Sequence, residues 1–347
     1  MKNNKFLIKF CKDRNIKNST KKGYISTLKK YTTFHNMTIE ELLNEAYSDE
    51  EKRIILKNRR IKNRLLDYRT YLISLDISHN TVKTYFSKLI TFYLHYEIEI
   101  PKLPNLKYTK NYETNYFDLP TKKHIIEAIN QTTLGFQALI LFMSSSGTAK
   151  AETLSLTVND FIQGPSEYYK SKNLTDILDE LELHDDIIPT LYLKRIKTDK
   201  YYYTFCSTEA SKYIIKYLKT RQNLSLNDKL FPYSSSAVIT KFQQINDKMN
   251  WGFKGKYRFF RTHALRKFHA SNINLSAEYI DALQGRSKNI VHETYIKTNP
   301  KELKEIYIKS MNNVLLFEKE KKNKKIKKEE IHITINIFIS DMSYNIY

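Results

Sequence analysis

The chain has 347 residues, of which 41% are hydrophobic, so it is long enough for two domains with separate cores and too apolar to be disordered. Its net charge of +21 favours a polyanionic partner, although the abundance of Lys, Asn, Ile and Tyr is also typical of an AT-rich genome. The sequence has no apolar run of membrane-spanning length, no signal-peptide pattern and no zinc or disulfide spacing between Cys11 and Cys206, which predicts a reduced, cytoplasmic protein.

The first hundred residues have the apolar spacing of amphipathic helices and predict a bundle of roughly four. Helix starts are predicted at Ser19 or Thr20, at the capping-box signature Thr38–Glu41 and at Asn80. Residues 52–75 form a predicted helix rich in Lys and Arg. Its basic face is either solvated or in contact with a DNA backbone.

Pro101, Pro104 and the polar stretch Lys107–Thr114 predict a linker. Residues 318–330 are a lysine-rich run, followed by a short apolar segment that has no obvious place in a domain core. The predicted organisation is therefore a helical domain at 1–106, a linker at 107–119, a second domain at 120–317 and a peripheral extension at 318–347.

Beyond the linker, the pattern predicts mainly helices and one β-hairpin. A helix is predicted to begin at Thr121, and the apolar run Leu134–Met143 predicts a buried helix. Residues 161–186 are predicted to form a surface insertion that contains an acidic helix. Ile188–Lys197 and Tyr201–Cys206 have strand composition on either side of a turn and predict the hairpin. Further helices are predicted near Ser207–Lys219, Ser235–Met249, Thr262–Asn274, Ser276–Gln284 and Pro300–Phe317.

A group of polar residues in the last third has the composition that phosphodiester chemistry requires. His263 and Arg266 form His-x-x-Arg, Arg286 ends Leu-Gln-Gly-Arg, and Tyr295 lies nine residues further on. A phosphodiester under attack needs cations around its non-bridging oxygens, a proton donor for its leaving oxygen and an in-line nucleophile. Two arginines, a histidine and a tyrosine supply most of these groups.

In order and spacing, these residues resemble the C-terminal motifs of the tyrosine recombinase (phage integrase) family, including the archaeal or viral members with Gly-Arg in place of a Gly-His box. The resemblance covers nearly all of residues 1–317. It implies a mainly α fold: a helical, SAM-like core-binding domain that clasps DNA, and a mostly helical catalytic domain with a small antiparallel β-sheet. The implied function is site-specific recombination or integration of double-stranded DNA by a homotetramer on paired sites, without a cofactor, a metal or a membrane.

The resemblance also implies a role for each motif residue. Tyr295 attacks the scissile phosphate and forms a 3′-phosphotyrosyl bond, which keeps the phosphoester energy so that no ATP is needed. Arg266 holds two phosphoryl oxygens with its planar fork, and His263 donates to the same phosphate and assists proton transfer. Arg286 donates a hydrogen bond but cannot act as a base.

Two further cations are implied by the resemblance. Lys197 matches the lysine that protonates the leaving 5′-oxygen, with Lys200 as the alternative in the same turn. The family has an arginine two residues after a glycine, where this chain has Ala149, and Lys150 is expected to take its place with Glu152 orienting it or capping the backbone. Because lysine is a point charge rather than a fork, transition-state stabilisation is expected to fall by roughly 2–4 kcal/mol.

Two alternatives stay open at this stage. Ala149 motivates a catalytically impaired integrase remnant that acts only as a DNA-binding protein. A type IB topoisomerase uses similar chemistry, but the separate clasping domain and the His-x-x-Arg context argue against it. The resemblance further implies that the helix at residues 301–317 packs into a neighbouring subunit.

Overall fold

The computed structural model describes residues 4–106, 115–286 and 299–317. The chain divides into two compact units, Met1–Glu113 and Thr114–Tyr347. The mainly α architecture with a small antiparallel sheet is confirmed for the described residues. The four predicted segments stay predictions, since most of the predicted linker and the whole extension at 318–347 lie outside the described residues. No helix in the described ranges is long and apolar enough to cross a membrane.

The described part of the first unit has five α-helices rather than the predicted four. They are α1 (Lys5–Asp13), α2 (Asn18–His35), α3 (Ile39–Glu51), α4 (Arg60–Ser74) and α5 (His79–His95). The helix absent from the prediction, α1, begins after Asn4, whose side chain accepts hydrogen bonds from the backbone N–H groups of Phe6 and Leu7. Its Leu7 and Phe10 are fully buried, so α1 contributes to the core of this unit.

The predicted helix starts are confirmed at one position and wrong at two. Thr38 caps α3 through the predicted capping box: the Glu41 N–H donates to Thr38 Oγ1 (3.1 Å) and the Thr38 N–H to the Glu41 carboxylate (2.7 Å). The other two helices begin slightly earlier than predicted, α2 after Lys17 and α5 after Ser78. The local signal for a cap is weaker than the apolar spacing because several neighbouring polar residues compete for the same position.

The basic face of α4 pairs with acidic residues of α3. Arg60 contacts the buried carboxylate of Asp49 at 2.7 Å and Arg64 contacts Glu45 at 2.9 Å. Burial alone would raise the pKa of Asp49, but the hydrogen bonds from the side chain and backbone N–H of Arg60 lower it. Three arginines of this basic stretch, for which solvent and DNA were the two alternatives, are therefore engaged within the unit; they are Arg59, Arg60 and Arg64.

The second unit contains the remaining described elements. Its helices are α6 (Lys122–Asn130), α7 (Leu134–Ser146), α8 (Lys150–Thr153), α9 (Val158–Gln163), α10 (Leu174–Glu182), α11 (Thr208–Lys219), α12 (Ser235–Lys248), α13 (Thr262–Asn272), α14 (Ala277–Leu283) and α15 (Pro300–Met311). Its strands are β1 (Thr190–Lys194), β2 (Tyr201–Phe205), β3 (Phe253–Lys254) and β4 (Tyr257–Arg258).

Helix α7 forms the centre of the second unit. It is apolar on every side, so it can only be stable when surrounded, and it packs against α11 and α13. Its C-terminal serines are buried too, and Ser145 and Ser146 donate to the carbonyls of Leu141 and Phe142 one turn earlier. Their hydroxyls are therefore satisfied locally, and burying them costs little.

The predicted hairpin is confirmed, with a shorter first strand. β1 pairs antiparallel with β2, and Leu193 lies opposite Tyr202. Side chains alternate across the hairpin, so Tyr202 is buried while Tyr192 and Tyr201 stack on the exposed face with ring centroids 5.0 Å apart. The two-residue ladder of β3 and β4 is too short to leave a periodic signal and was not predicted.

The predicted surface insertion at residues 161–186 is part of the core. The acidic helix within it exists as α10, but its apolar face buries Ile177, Leu178 and Leu181 against the same core as α7. The prediction was wrong because the exposed acidic face dominates the composition of this segment. The apolar positions have the spacing of one helix face, which is the signal for burial.

The segment after residue 299 packs on its own unit in this structure, and its packing into a neighbouring subunit stays a prediction. Leu303 and Tyr307 of α15 are buried, and the Tyr307 hydroxyl donates to the Ser145 carbonyl at 3.0 Å. Met311, Val314 and Leu315 are buried as well, so all five buried residues of this segment contribute to the core.

Candidate active site

Helix α13 positions two of the predicted catalytic residues. It begins after Arg261, whose backbone is extended, and its first two turns contain His263 and Arg266. Residues three apart lie on neighbouring parts of one helix face. Arg266 is 3% exposed, whereas His263 is exposed. The start of α13 therefore places a buried guanidinium and an exposed imidazole side by side.

Two backbone carbonyls hold the guanidinium of Arg266. Nη1 donates to the Gly147 carbonyl at 2.8 Å and Nη2 to the Gln284 carbonyl at 2.7 Å. Among the described residues, Arg266 forms no salt bridge with a carboxylate. A carbonyl orients the planar fork without cancelling its charge, so the positive charge remains available to an anion.

Gly147 ends α7 in a conformation that only glycine adopts easily. Its φ is +65°, and a Cβ at this position would lie 2.5 Å from His269 Nδ1 and 2.7 Å from Gln284 Nε2. The absence of a side chain lets the chain turn and lets its carbonyl approach Arg266. Gly147, which precedes Ala149 by two residues, thus has a structural role that does not depend on the residue at position 149.

The turn after α14 contributes the other side of the site. Gln284 is fully buried; its Nε2 donates to the Arg266 carbonyl at 3.1 Å and lies 3.0 Å from His269 Nδ1. Gly285 has a φ of +59°, and a Cβ there would lie 2.5 Å from the ring of Tyr202. The Gln-Gly turn therefore fixes α13 and the hairpin to each other through close contacts.

Arg195 is a site residue that the sequence analysis missed. It lies directly after β1, and its Nη1 donates to the Gln284 carbonyl at 2.9 Å, the same oxygen that accepts from Arg266. A signal for it exists in the sequence: Leu191 and Leu193 face the core, and strand alternation puts residue 195 on the same side. An arginine that strand alternation directs toward the core is expected to have a specific partner, because arginine is rarely buried without one.

One open groove of about 480 Å³ is lined by three cationic side chains: Arg195, which was not predicted, and Lys197 and Arg286, which were. Lys197 is exposed in the hairpin loop, and Arg286 is exposed with its Nη1 3.9 Å from an oxygen of Asp281. The rival residue Lys200 accepts a hydrogen bond from the Arg195 N–H through its backbone carbonyl (2.7 Å). The structure thus brings the hairpin and the Gly-Arg motif to the same groove.

Lys150 has a different neighbour from the arginines. It starts the short helix α8 after Ala149, and its Nζ lies 3.4 Å from the carbonyl of Ser235. Partial burial lowers its pKa. Glu152 of the same motif is buried, and its charge raises the pKa of Arg266 without a direct bond to it. The motif therefore brings a carboxylate toward Arg266, whereas the Lys150 ammonium contacts α12.

The cations around Arg266 leave an excess of positive charge. Burial, Arg195 and Arg286 lower the pKa of Arg266 to about 10, against the opposing effects of Tyr202 and Glu152. Desolvation also lowers the pKa of the His263 imidazole, and the cations that surround it add to this effect. His263 is therefore neutral near neutral pH. A bound anion would offset the mutual repulsion of these cations.

His269 gives this site a predicted pH dependence. It is fully buried, and burial with the charges of Arg266 and Arg286 lowers its pKa to about 3. An unfolded histidine has a pKa near 6.5, so below that pH the unfolded chain binds a proton that the folded chain rejects. Stability is present above about pH 6.5 and is lost as the pH falls toward 3, by about 2 kcal/mol between pH 7 and pH 5.

The measurement is urea unfolding of the wild type and of His269→Asn at about pH 7 and pH 5. Asparagine keeps a polar group near Gln284 but does not titrate. We expect the pH-induced loss to be smaller by about 2 kcal/mol in the variant, with other titrating groups cancelling in the comparison. Equal losses in both proteins would contradict a buried neutral His269.

Tyr295 lies outside the described residues, in the range 287–298. In the ranges that are described, no group of three or more His, Cys, Asp or Glu side chains is arranged to hold a metal ion. Two of the site residues predicted from the sequence, Lys197 and Arg286, line the groove. His263 and Arg266 lie together at the start of α13, and the charge of Arg286 acts on both of them.

No protein-family model matches the sequence, and no curated protein matches it. The structure is similar to three solved structures at 14–15% sequence identity. All three are tyrosine recombinases or integrases.

The matches to these recombinases cover most of each chain. XerA recombinase is matched over 88% of this chain and 96% of its own, with a TM-score of 0.32. The site-specific recombinase XerH, bound to its difH substrate, is matched over 86% and 82%, with a TM-score of 0.47. A lambda integrase dimer bound to a COC′ core site is matched over 85% and 97%, with a TM-score of 0.40.

Proposed function

We propose that this chain is a tyrosine-type site-specific DNA recombinase or integrase. The observation that carries the proposal is the arrangement around Arg266. Its buried guanidinium is held by carbonyls and has Arg195 and Arg286 as charged neighbours, with His263 on the same helix. Such a site suits a phosphate, because charge-assisted bonds from planar forks match phosphoryl oxygens.

In the proposed reaction, the Tyr295 oxygen attacks the scissile phosphorus. The new Tyr–O–P bond forms as the bond from phosphorus to the 5′-oxygen breaks, which leaves a 3′-phosphotyrosyl bond and a free 5′-hydroxyl. The phenol loses a proton and the leaving oxygen gains one, so the step needs neither an oxidant nor a nucleotide. The reverse step, with the 5′-hydroxyl of another strand, rejoins the DNA.

Each cation has a proposed role at the phosphate. Arg266 binds the non-bridging oxygens, where its charge stabilises the transition state more than the ground state. His263 donates a hydrogen bond to the same phosphate and assists proton transfer, and Arg286 donates a further one. Lys197 protonates the leaving 5′-oxygen. For Lys150, a role as the replacement cation stays a prediction.

The proposed partner is double-stranded DNA, bound by a homotetramer on paired sites. The net charge of +21 supports a polyanionic partner. The proposed division of labour is a DNA-clasping first domain and a catalytic second domain, with boundaries as in the sequence analysis. The extension at 318–347 has no proposed role.

A catalytically impaired remnant is the second candidate, because one observation favours it. Ala149 stands where the resemblance requires an arginine, and the ammonium of the adjacent Lys150 contacts the Ser235 carbonyl. A remnant would retain the positive surface and bind DNA, but it would not form the covalent bond.

The test is formation of the covalent intermediate. Wild type and Tyr295→Phe are incubated with nicked DNA duplexes that lose a short fragment after cleavage, cut from the flanks of the protein's own gene. We expect a protein–DNA species that resists SDS with the wild type and none with Tyr295→Phe, which lacks only the nucleophilic oxygen. Binding of the same duplex by both proteins is the control.

The two candidates give different outcomes in this experiment. A wild-type adduct that depends on Tyr295 supports the recombinase. Retained DNA binding without any adduct contradicts it and favours the remnant, and an arginine restored at position 149 or 150 then tests whether activity was lost there. An adduct that persists in Tyr295→Phe would mean that another residue is the nucleophile.

A further inference from the structure

Arg195 and Arg266 come from distant parts of the chain and meet at one oxygen. The Gln284 carbonyl accepts from Arg195 Nη1 at 2.9 Å and from Arg266 Nη2 at 2.7 Å. Among the described residues, neither arginine forms a salt bridge with a carboxylate. Two guanidinium groups this close repel each other, and an anion that bridges them would offset that repulsion by attracting both.

The backbone of Arg195 is fixed at the neck of the hairpin. Its N–H donates to the Lys200 carbonyl at 2.7 Å, and its carbonyl accepts from the Asp199 N–H at 2.8 Å. In the described part of the chain, its guanidinium is engaged only through Nη1. Nε and Nη2 therefore keep donors for a ligand, on a side chain whose base is already ordered.

Arg195 also faces a groove with two of the other proposed cations, whereas Arg266 is reached through the shared Gln284 carbonyl. Arg195 lines this groove together with Lys197 and Arg286. Lys150, in contrast, is not among the charges that act on Arg266, and its ammonium contacts the Ser235 carbonyl. A phosphate in contact with Arg266 would therefore meet the guanidinium of Arg195 as well as that of Arg286.

We propose that Arg195 is a further phosphate-binding arginine of this site, which acts beside Arg266 and Arg286 and donates to a non-bridging oxygen of the attacked phosphate. The inference rests on the proposed function and adds to it a residue outside the motif positions. An additional guanidinium shares the charge that develops on the phosphate in the transition state and so stabilises it further.

The test uses two versions of the nicked DNA, one natural and one with a methylphosphonate at the scissile position. The methyl group removes one negative charge, so an arginine that neutralises this charge becomes dispensable. On natural DNA we expect Arg195→Ala to form the adduct about 10²–10³-fold more slowly than the wild type. On the methylphosphonate we expect most of this deficit to disappear. DNA binding is expected to change little on either substrate.

Three variants serve as comparisons. Lys194→Ala removes a cation from the adjacent, exposed position of the same hairpin, which pairs with Asp199, and should leave the adduct rate unchanged. Lys197→Ala should be slow on both substrates, because proton transfer to the leaving oxygen is still required. Lys150→Ala tests the competing residue. Urea unfolding of each variant detects damage to the fold.

The outcomes separate the inference from the function it rests on. A wild-type rate for Arg195→Ala, or a deficit of equal size on both substrates, overturns the role of Arg195 while the recombinase proposal stands. The same follows if Lys150→Ala is the variant restored by the methylphosphonate. If Arg195→Ala does not fold, Arg195→Lys undergoes the same comparison. Failure of the wild type to form any adduct removes the proposed function, and the inference with it.

Discussion

Replacing Arg266 with lysine is expected to slow adduct formation by about 10²–10³-fold, because a single point charge cannot replace a planar fork that faces phosphoryl oxygens. The fork is also structural: Arg266 donates to the carbonyls of Gly147 and Gln284 at once. Lysine can reach one of them at most with good geometry. We therefore expect a second effect, a loss of about 1–3 kcal/mol in the free energy of unfolding.

The two effects of Arg266→Lys are separable by measurement. The adduct rate is measured under conditions where urea unfolding shows the variant to be folded, and binding of the same duplex is measured alongside. Arg258→Lys is the matched control, since this half-buried arginine also donates through two nitrogens, to Asp247 at 2.8 and 2.9 Å, and is not among the charges that act on Arg266. It should change stability by less than about 1 kcal/mol and leave the rate intact. A rate for folded Arg266→Lys equal to that of Arg258→Lys would exclude a phosphate contact by Arg266.

The sequence predicts the parts of this site that depend on local spacing. His263 and Arg266 lie three residues apart on one helix, and helical geometry alone puts them on neighbouring parts of one face. The hairpin follows from the composition of its strands and its polar turn, and its loop carries Lys197 as predicted. These features need no knowledge of distant partners.

What the sequence did not predict depends on contacts between distant segments. The approach of Arg195 to the Gln284 carbonyl joins residues 89 positions apart, and nothing in either segment specifies the other. The pairing of Arg60 with Asp49 likewise converts a basic surface into a helix–helix contact. A run of basic residues on a helix therefore predicts a DNA-binding face only where the neighbouring elements have no acidic residues that pair with it.

Gly147 contributes both to the stability of the fold and to the position of the Arg266 side chain. Gly147→Ala is expected to lower the free energy of unfolding by about 2–5 kcal/mol, which corresponds to a fall in Tm of roughly 5–15 °C. Part of the loss comes from placing alanine at a φ of +65°, and part from the contact of its Cβ with His269 and Gln284. Any shift of the Gly147 carbonyl also releases Arg266 Nη1, so the adduct rate should fall even where the variant is folded.

Gly252 provides a matched control for this prediction. It has the same φ of +65°, but a Cβ there meets no atom within 4 Å. Gly252→Ala should therefore show only the conformational cost, about 1–2 kcal/mol. Thermal and urea unfolding of the two variants isolates the steric contribution as the difference between them. Equal losses would mean that His269 and Gln284 move aside freely, and the close packing of α7 against α13 and the Gln-Gly turn would then not be what fixes the Arg266 fork.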